Sequence, residues 1–317
     1  MRIYNLKLSN NEKWSILSNN HRFSWLDDFM VSLGAELSLK MEEKKIFFLP
    51  RSKTEIENPC LLVNSIDANI PISGWKVYGY PNYFLWVQFE YPVYIFEIIR
   101  EKLDSRQIRL LILDILSPIY LSIMYNAKGL PLHSSCIEYN GKALILAGDS
   151  GSGKTTCCNR IPSPWRVLTD EETVVLDEGS GRYQAHPFPN VTDFARNNLI
   201  RNYNTHRGLP ISAIFFLKKD TIDAIRSISL AEAVLRINKS ASEIFLAYSH
   251  LLSDRLIHNK MQFNNAVLIA RKIPCFLLFF KKEGFFWREL ENLFEKNLRN
   301  EDNTYPALNR YCFNKRV

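Results

Sequence analysis

One run of residues constrains this chain more than anything else in it. Gly148-Asp149-Ser150-Gly151-Ser152-Gly153-Lys154-Thr155 fits the pattern G-x-x-x-x-G-K-[ST] without a mismatch. The glycines permit a tight turn whose backbone N–H groups face one concave spot. Such a turn, followed by the start of a helix, favours a polyanion. The apolar stretch Lys142–Ala147 precedes the run, and the helix-competent TTCCNRI follows Lys154. Strand, glycine-rich loop and helix in that order are what phosphate binding requires. Gly148–Thr155 and the adjoining Thr156 are therefore expected to bind nucleotide phosphates. Lys154 would reach the β- and γ-phosphates, and Thr155 would place its hydroxyl on Mg²⁺.

The residues after the loop narrow the reading further. Pro162-Ser163-Pro164 stops the helix after about two turns. A strand, Trp165–Thr169, then runs into Asp170-Glu171-Glu172. A nucleotide site needs one acid for the metal and another group to accept the attacking hydroxyl's proton. Acids at the carboxyl end of a strand beside the loop meet both needs. His133 is the third element, near the start of the strand Leu132–Glu138 that precedes the loop strand. A lone histidine on an apolar strand is commonly a core residue. Here the strand pairs with the loop strand through the turn Asn140-Gly141, so a catalytic or acid-orienting role is expected.

Around this centre the chain divides into two parts. Residues 1–105 look strand-rich, with aromatic and β-branched runs at Lys45–Leu49, Trp75–Tyr80 and Tyr83–Phe89; Tyr91–Arg100 is ambiguous between strand and helix. No chemistry stands out there, and a β-rich accessory domain is expected. Residues 106–317 alternate: a helix over 106–128, the strands around the loop, then strands at Ile211–Leu217 and Cys275–Phe280. Helices are expected at Ser229–Leu252, Met261–Arg271 and Phe285–Asn297. This is an α/β module with a mixed sheet.

Composition excludes several classes. With 46% hydrophobic and 23% charged residues, the chain is no disordered, collagen-like or disulfide-scaffold protein. The most apolar stretch, Leu110–Tyr125, carries Asp114 and Pro118 and reads as a buried helix rather than a membrane span. Six cysteines without a CxxC pair, and no signal-peptide pattern, point to the cytoplasm. The net charge of +7 is scattered, and no helix-turn-helix, finger or RNP pattern accompanies it, so no nucleic-acid partner is expected.

The set LHSSCIEYNGKALILAGDSGSGKTT, a short helix, then VLTDEETVVL resembles the P-loop kinase core of HPr kinase/phosphorylase. It is also similar to the nucleotide site of ATP-dependent phosphoenolpyruvate carboxykinase. More narrowly, TTCCNRIPSPWRVLTDEETVVL, GRYQAHPFPN and the spacing to FFLKK resemble the SynChlorMet cassette proteins of HPr kinase-like type. These are bacterial proteins encoded beside radical-SAM maturases. In HPr kinases a histidine and an acidic pair serve the attacking serine, and His133, Asp170 and Glu171 are the matching positions. The usual pair is Asp-Asp, whereas this chain has Asp-Glu, and either acid could be base or metal ligand. The resemblance implies ATP and Mg²⁺, a Ser or Thr acceptor in a small protein or precursor peptide, and a homo-oligomer, since HPr kinases are hexamers.

Thr173–Leu176 is expected to continue as a strand, turn at Gly179–Gly181 and return through Arg182–Ala185. His186-Pro187-Phe188-Pro189 then reads as an exit from the sheet, with His186 and Phe188 offered to a substrate loop. Arg196, Arg201 and Arg207 follow in a polar stretch; solvated surface is their first reading, and one of them could steady a transferred phosphate. The leading expectation is an ATP-dependent kinase acting on a hydroxyl. A nucleotide-binding accessory protein without phosphotransfer and a small-molecule kinase are the alternatives.

Overall fold

The computed structural model describes residues 1–18, 23–51, 58–88, 90–100, 102–179, 181–189, 191, 194, 203–246 and 255–298. It separates into two compact units. The first comprises Met1–Ile119 and Val191–Arg207, the second Tyr120–Asn190 and Gly208–Val317. The division falls between Ile119 and Tyr120, and the first unit also takes the later segment Val191–Arg207.

In the first unit a seven-stranded sheet is built from β1 (Arg2–Lys7), β2 (Lys13–Ser18), β3 (Glu36–Leu37), β4 (Lys44–Pro50), β5 (Trp75–Gly79), β6 (Tyr83–Gln88) and β7 (Val93–Ile98), in the order β3-β1-β2-β4-β7-β6-β5. The ambiguous stretch around β7 resolves as strand because it is an inner partner, parallel to β4 and antiparallel to β6. Alternation along β4 supplies both faces. Phe47 packs with Cys60 and Val63 of α2 (Pro59–Ile66). Phe48 stacks on Phe96 at 5.1 Å and meets Trp25 of α1 (Ser24–Ser32) edge-on. The second and third helices start on local signals. Asn58 accepts from the Cys60 N–H with Pro59 in the first turn, while Asp104 and Gln107 cap each other at the start of α3 (Ser105–Asn126). Helix α3 is long and apolar enough to cross a membrane, yet 72% of its most apolar window is buried in the protein.

In the second unit two long strands do most of the organising. β8 (Leu130–Tyr139) pairs through Leu130–His133 with β11 (Glu172–Asp177), and through Ser134–Tyr139 with β9 (Lys142–Ala147). β13 (Leu209–Lys219) meets β12 (Tyr183–Phe188) at its start, then runs parallel to β9 and to β15 (Cys275–Phe280). With β11 and β12 antiparallel, the pairings close a circuit β8-β11-β12-β13-β9-β8. β10 (Arg166–Thr169) lies beside the far half of β8, and β14 (Ala224–Ser227) edges β15. The hairpin from β8 to β9 turns on Asn140 and Gly141, both at positive φ (51° and 76°), as a two-residue turn matched to strand twist demands.

Side chains of alternating residues on these strands face helices. Leu144, Leu146, Phe215, Leu217, Leu278 and Phe280 form a core with α4 (Lys154–Arg160) and α7 (Phe286–Leu298). α5 (Leu230–Phe245) and α6 (Arg255–Lys272) complete the unit. α5 starts at Ser229, whose hydroxyl accepts from the Glu232 N–H. α6 starts earlier than its periodicity predicts, and the far end of the helix expected to reach Leu252 lies outside the described residues.

The segment expected to exit the sheet stays in it. His186-Pro187-Phe188 does not leave the sheet. His186 pairs with Val174, Pro187 with Thr173 and Phe188 with Glu172 in the β11–β12 ladder. His186 and Phe188 are wholly buried, and the Phe188 carbonyl accepts from Thr169 Oγ1 at 2.8 Å, so neither side chain belongs to a substrate loop. The proline is tolerated because β13 reaches only Gln184 and Ala185, leaving Pro187 at an edge where no ladder N–H is required.

Candidate functional site

The glycine-rich loop hangs from the carboxyl end of β9, beside the carboxyl ends of the parallel strands β13 and β15. The loop is tightly folded: a Cβ at Gly148 would strike Ser152 Oγ at 2.7 Å, and one at Gly153 would strike the Phe280 ring of β15 at 2.5 Å. Gly153 also has φ 106°, so only glycine fits the entry to α4.

Lys154 is buried, and its Nζ donates to the carbonyl oxygens of Gly148 (2.6 Å) and Asp149 (3.3 Å). Burial pulls its amine below the ordinary lysine range, while the charges of Glu243, Asp149 and Glu171 work the other way. Thr155 and Thr156 are exposed on the first turn of α4. Ser152 Oγ is buried, with no hydrogen-bond partner among the described residues.

The downstream acids do not share one fate. β10 and β11 run along the same edge of β8, and Asp170-Glu171 form the step between them. Main-chain bonds fasten that step to β8. The Glu171 carbonyl accepts from the Ser134 N–H at 3.0 Å, and the Asp170 carbonyl accepts from Ser135 Oγ at 3.3 Å. Both acidic side chains are half-buried. Glu172 instead starts β11, is buried, and accepts a hydrogen bond from Tyr120 Oη. Ser135 and the charge of Asp170 both act on the Cys158 thiol of α4. Burial pushes the Cys158 thiol up to about 11 and the Cys157 thiol up to about 12, so neither is a thiolate nucleophile.

His133 completes the group. Burial, aided by the positive charge of Lys154, pushes its imidazole down to about 4, so the ring is neutral near pH 7. Its Nε2 lies 3.9 Å from Glu243 Oε2. At that separation the carboxylate does not outweigh burial and Lys154. Burial also raises Glu243, with Lys154 opposing.

Sequence reasoning missed the contribution of α5. Ser240 Oγ donates to the His133 carbonyl at 3.2 Å, Lys239 Nζ pairs with Asp149 Oδ2 at 2.7 Å, and Glu243 faces His133. Arg236 lies over the Phe216 ring near the end of β13. The signal was present, because 236, 239, 240 and 243 are spaced to share one helix face.

The structure thus gathers His133, Lys154 and Glu171 with Glu243 and Asp149, and sets Asp170 nearby. Arg207 is exposed in a turn, and Arg196 and Arg201 lie outside the described residues. Among the described residues no group of three or more His, Cys, Asp or Glu could by itself hold a metal ion. Mg²⁺ does not require one, since it keeps several waters and takes one or two carboxylates with ligand phosphates. The donor set of Thr155, Asp170 and Glu171 fits that chemistry. In the first unit a cavity of about 780 Å³ opens beside Asp67–Ile70, but its buried Lys45 is already paired with Asp67 at 3.1 Å.

Compared with curated proteins, the chain matches none. The family described as SynChlorMet cassette protein ScmC matches residues 96–295, which include the loop, both acids, His133 and helix α5. On that match the chain belongs to the SynChlorMet cassette protein ScmC family.

Proposed function

We propose that this protein is an ATP-dependent kinase of the P-loop type, related to HPr kinases, that transfers the γ-phosphoryl group to a hydroxyl. The observation that carries the reading is the buried Lys154 of a complete G-x-x-x-x-G-K-T loop, with His133 and Glu171 within electrostatic reach of its amine. Loop N–H groups would bind the β- and γ-phosphates, with the buried Ser152 hydroxyl as a further polar group. Thr155 and one acid of the Asp170-Glu171 step would hold Mg²⁺, which when bound neutralises charge on the β- and γ-phosphates.

The other acid, with Asp170 favoured, accepts the proton of the acceptor hydroxyl as its oxygen bonds to γ-phosphorus. The bond from that phosphorus to the β–γ bridging oxygen breaks, and ADP leaves. Neutral His133 orients the acid or relays its proton. A Ser or Thr of a small protein or precursor peptide is the proposed acceptor, by the resemblance to HPr kinases. Mass spectrometry of candidate peptides from neighbouring genes, incubated with the protein and Mg-ATP, tests this. The expected result is a peptide gain of one phosphate that disappears with Asp170→Asn and with Lys154→Ala. Labelling that survives both substitutions would contradict the assignment. ATP binding without any labelled acceptor would favour an accessory, non-transferring protein.

A further inference from the structure

Helix α5 brings a second cation to the glycine-rich loop. Lys239 Nζ is 2.7 Å from Asp149 Oδ2, and both side chains are more than half exposed. The helix carrying it is held firmly. Ser240 Oγ donates to the His133 carbonyl, and Gln262 Nε2 of α6 bonds to Asn238 and Ser242 on either side of Lys239. The charge balance around the loop is unusual for an anion site, because Glu243, Asp149 and Glu171 all act on Lys154. Arg236 is engaged by Glu232 at 2.8 Å, one turn away. Unlike Arg236, whose partner sits on the same helix, Lys239 pairs with a residue of the loop itself, and that pair is exposed and weakly held, since exposed ion pairs contribute little. Its ammonium is a compact charge with three rotatable donors, suited to a phosphate as well as to a carboxylate.

We propose that Lys239 is a second phosphate-binding side chain, shared between Asp149 and the terminal phosphate of a nucleoside triphosphate. This rests on the nucleotide-binding reading above and adds to it a basis for telling triphosphate from diphosphate. Lys154 holds the phosphates from inside the loop, and Lys239 adds a contact from α5 that a diphosphate is too short to take up. Because α5 also contacts His133 through Ser240 and Glu243, the residue that senses the terminal phosphate sits on the element that borders the proton-handling groups.

Fluorescent ATP and ADP analogues titrated into the full chain with Mg²⁺ test this. The set is wild type, Lys154→Ala, Lys239→Ala, Lys239→Arg and Asp149→Asn, each checked for folding by circular dichroism. Lys239→Ala should weaken the ATP analogue by about tenfold and leave the ADP analogue within about twofold, with Lys239→Arg restoring most of the loss. Asp149→Asn should tighten the ATP analogue by a few-fold, roughly, because the competing carboxylate is gone. If wild type binds and Lys154→Ala does not, but Lys239→Ala weakens both analogues equally or neither, the Lys239 inference fails while the nucleotide reading stands. If wild type binds neither analogue, both fail.

Discussion

Glu172 stands opposite His133 in the β8–β11 ladder, and its buried carboxylate accepts a hydrogen bond from Tyr120 of α3. Three consecutive acids therefore divide between two tasks. Asp170 and Glu171 occupy the step between β10 and β11, where main-chain bonds to Ser134 and Ser135 hold them half-buried. Glu172 has entered the ladder and is committed to the interior.

The division predicts different costs for similar substitutions. Asp170→Asn should lower the rate of phosphotransfer by roughly 10²–10⁴-fold with little change in stability. Glu172→Gln keeps an acceptor for Tyr120 and should leave the rate within about threefold. Tyr120→Phe takes a donor from a buried carboxylate and should cost about 1–3 kcal/mol in chemical denaturation. Equal loss of rate in Asp170→Asn and Glu172→Gln would show that the two acids act together.

Two glycines at positive φ separate strain from collision. Gly141→Ala, in the β8–β9 turn, introduces a Cβ with nothing within 4 Å, so only backbone strain of about 1 kcal/mol is expected. Gly153→Ala meets the Phe280 ring at 2.5 Å as well, and should cost about 2–4 kcal/mol. Urea denaturation of the two variants reads the difference, and equal losses would place Phe280 away from the loop.

Two histidines should make the fold sensitive to acid. His133 is pushed down to about 4 by burial and by Lys154. His258 is lowered by burial, with Gln262 opposing, and packs edge-on to Phe245 at 4.5 Å. Unfolded histidines titrate near 6.5, so below that value the unfolded chain binds more protons. Stability is full above pH 6.5 and falls as pH drops, by up to about 1.4 kcal/mol per pH unit for each histidine. For His133 the decline levels off near its folded value of about 4. Denaturant melts between pH 7.5 and 5 should show this slope, and His258→Gln should flatten it. Stability that rises on acidification would contradict the assignment.

Much of the second unit was legible because its signals are local. Asn140-Gly141 announces its turn, KALILA and CFLLFF are apolar runs of strand length, and the loop residues carry their own pattern. The His186–Pro189 segment misled because a proline reads as a stop. Its place at an unpaired edge depends on where β13 ends its pairing with β12, which no local signal reveals. Helix α5 was readable as a helix, but its role depends on packing against β8, a contact between residues about 100 positions apart, such as Ser240 and His133. In the first unit, β7 was ambiguous in isolation and was decided by its partners β4 and β6.

The proposed kinase depends on Lys154 as its phosphate-binding residue. Isothermal titration of Mg-ATP into the full chain measures this most directly, with Lys154→Ala alongside. One saturable site is predicted for the wild type. Lys154→Ala should stay folded and bind at least about tenfold more weakly, the loss expected for a charge-assisted contact. Equal binding by the two proteins, or no heat from the wild type, would contradict it.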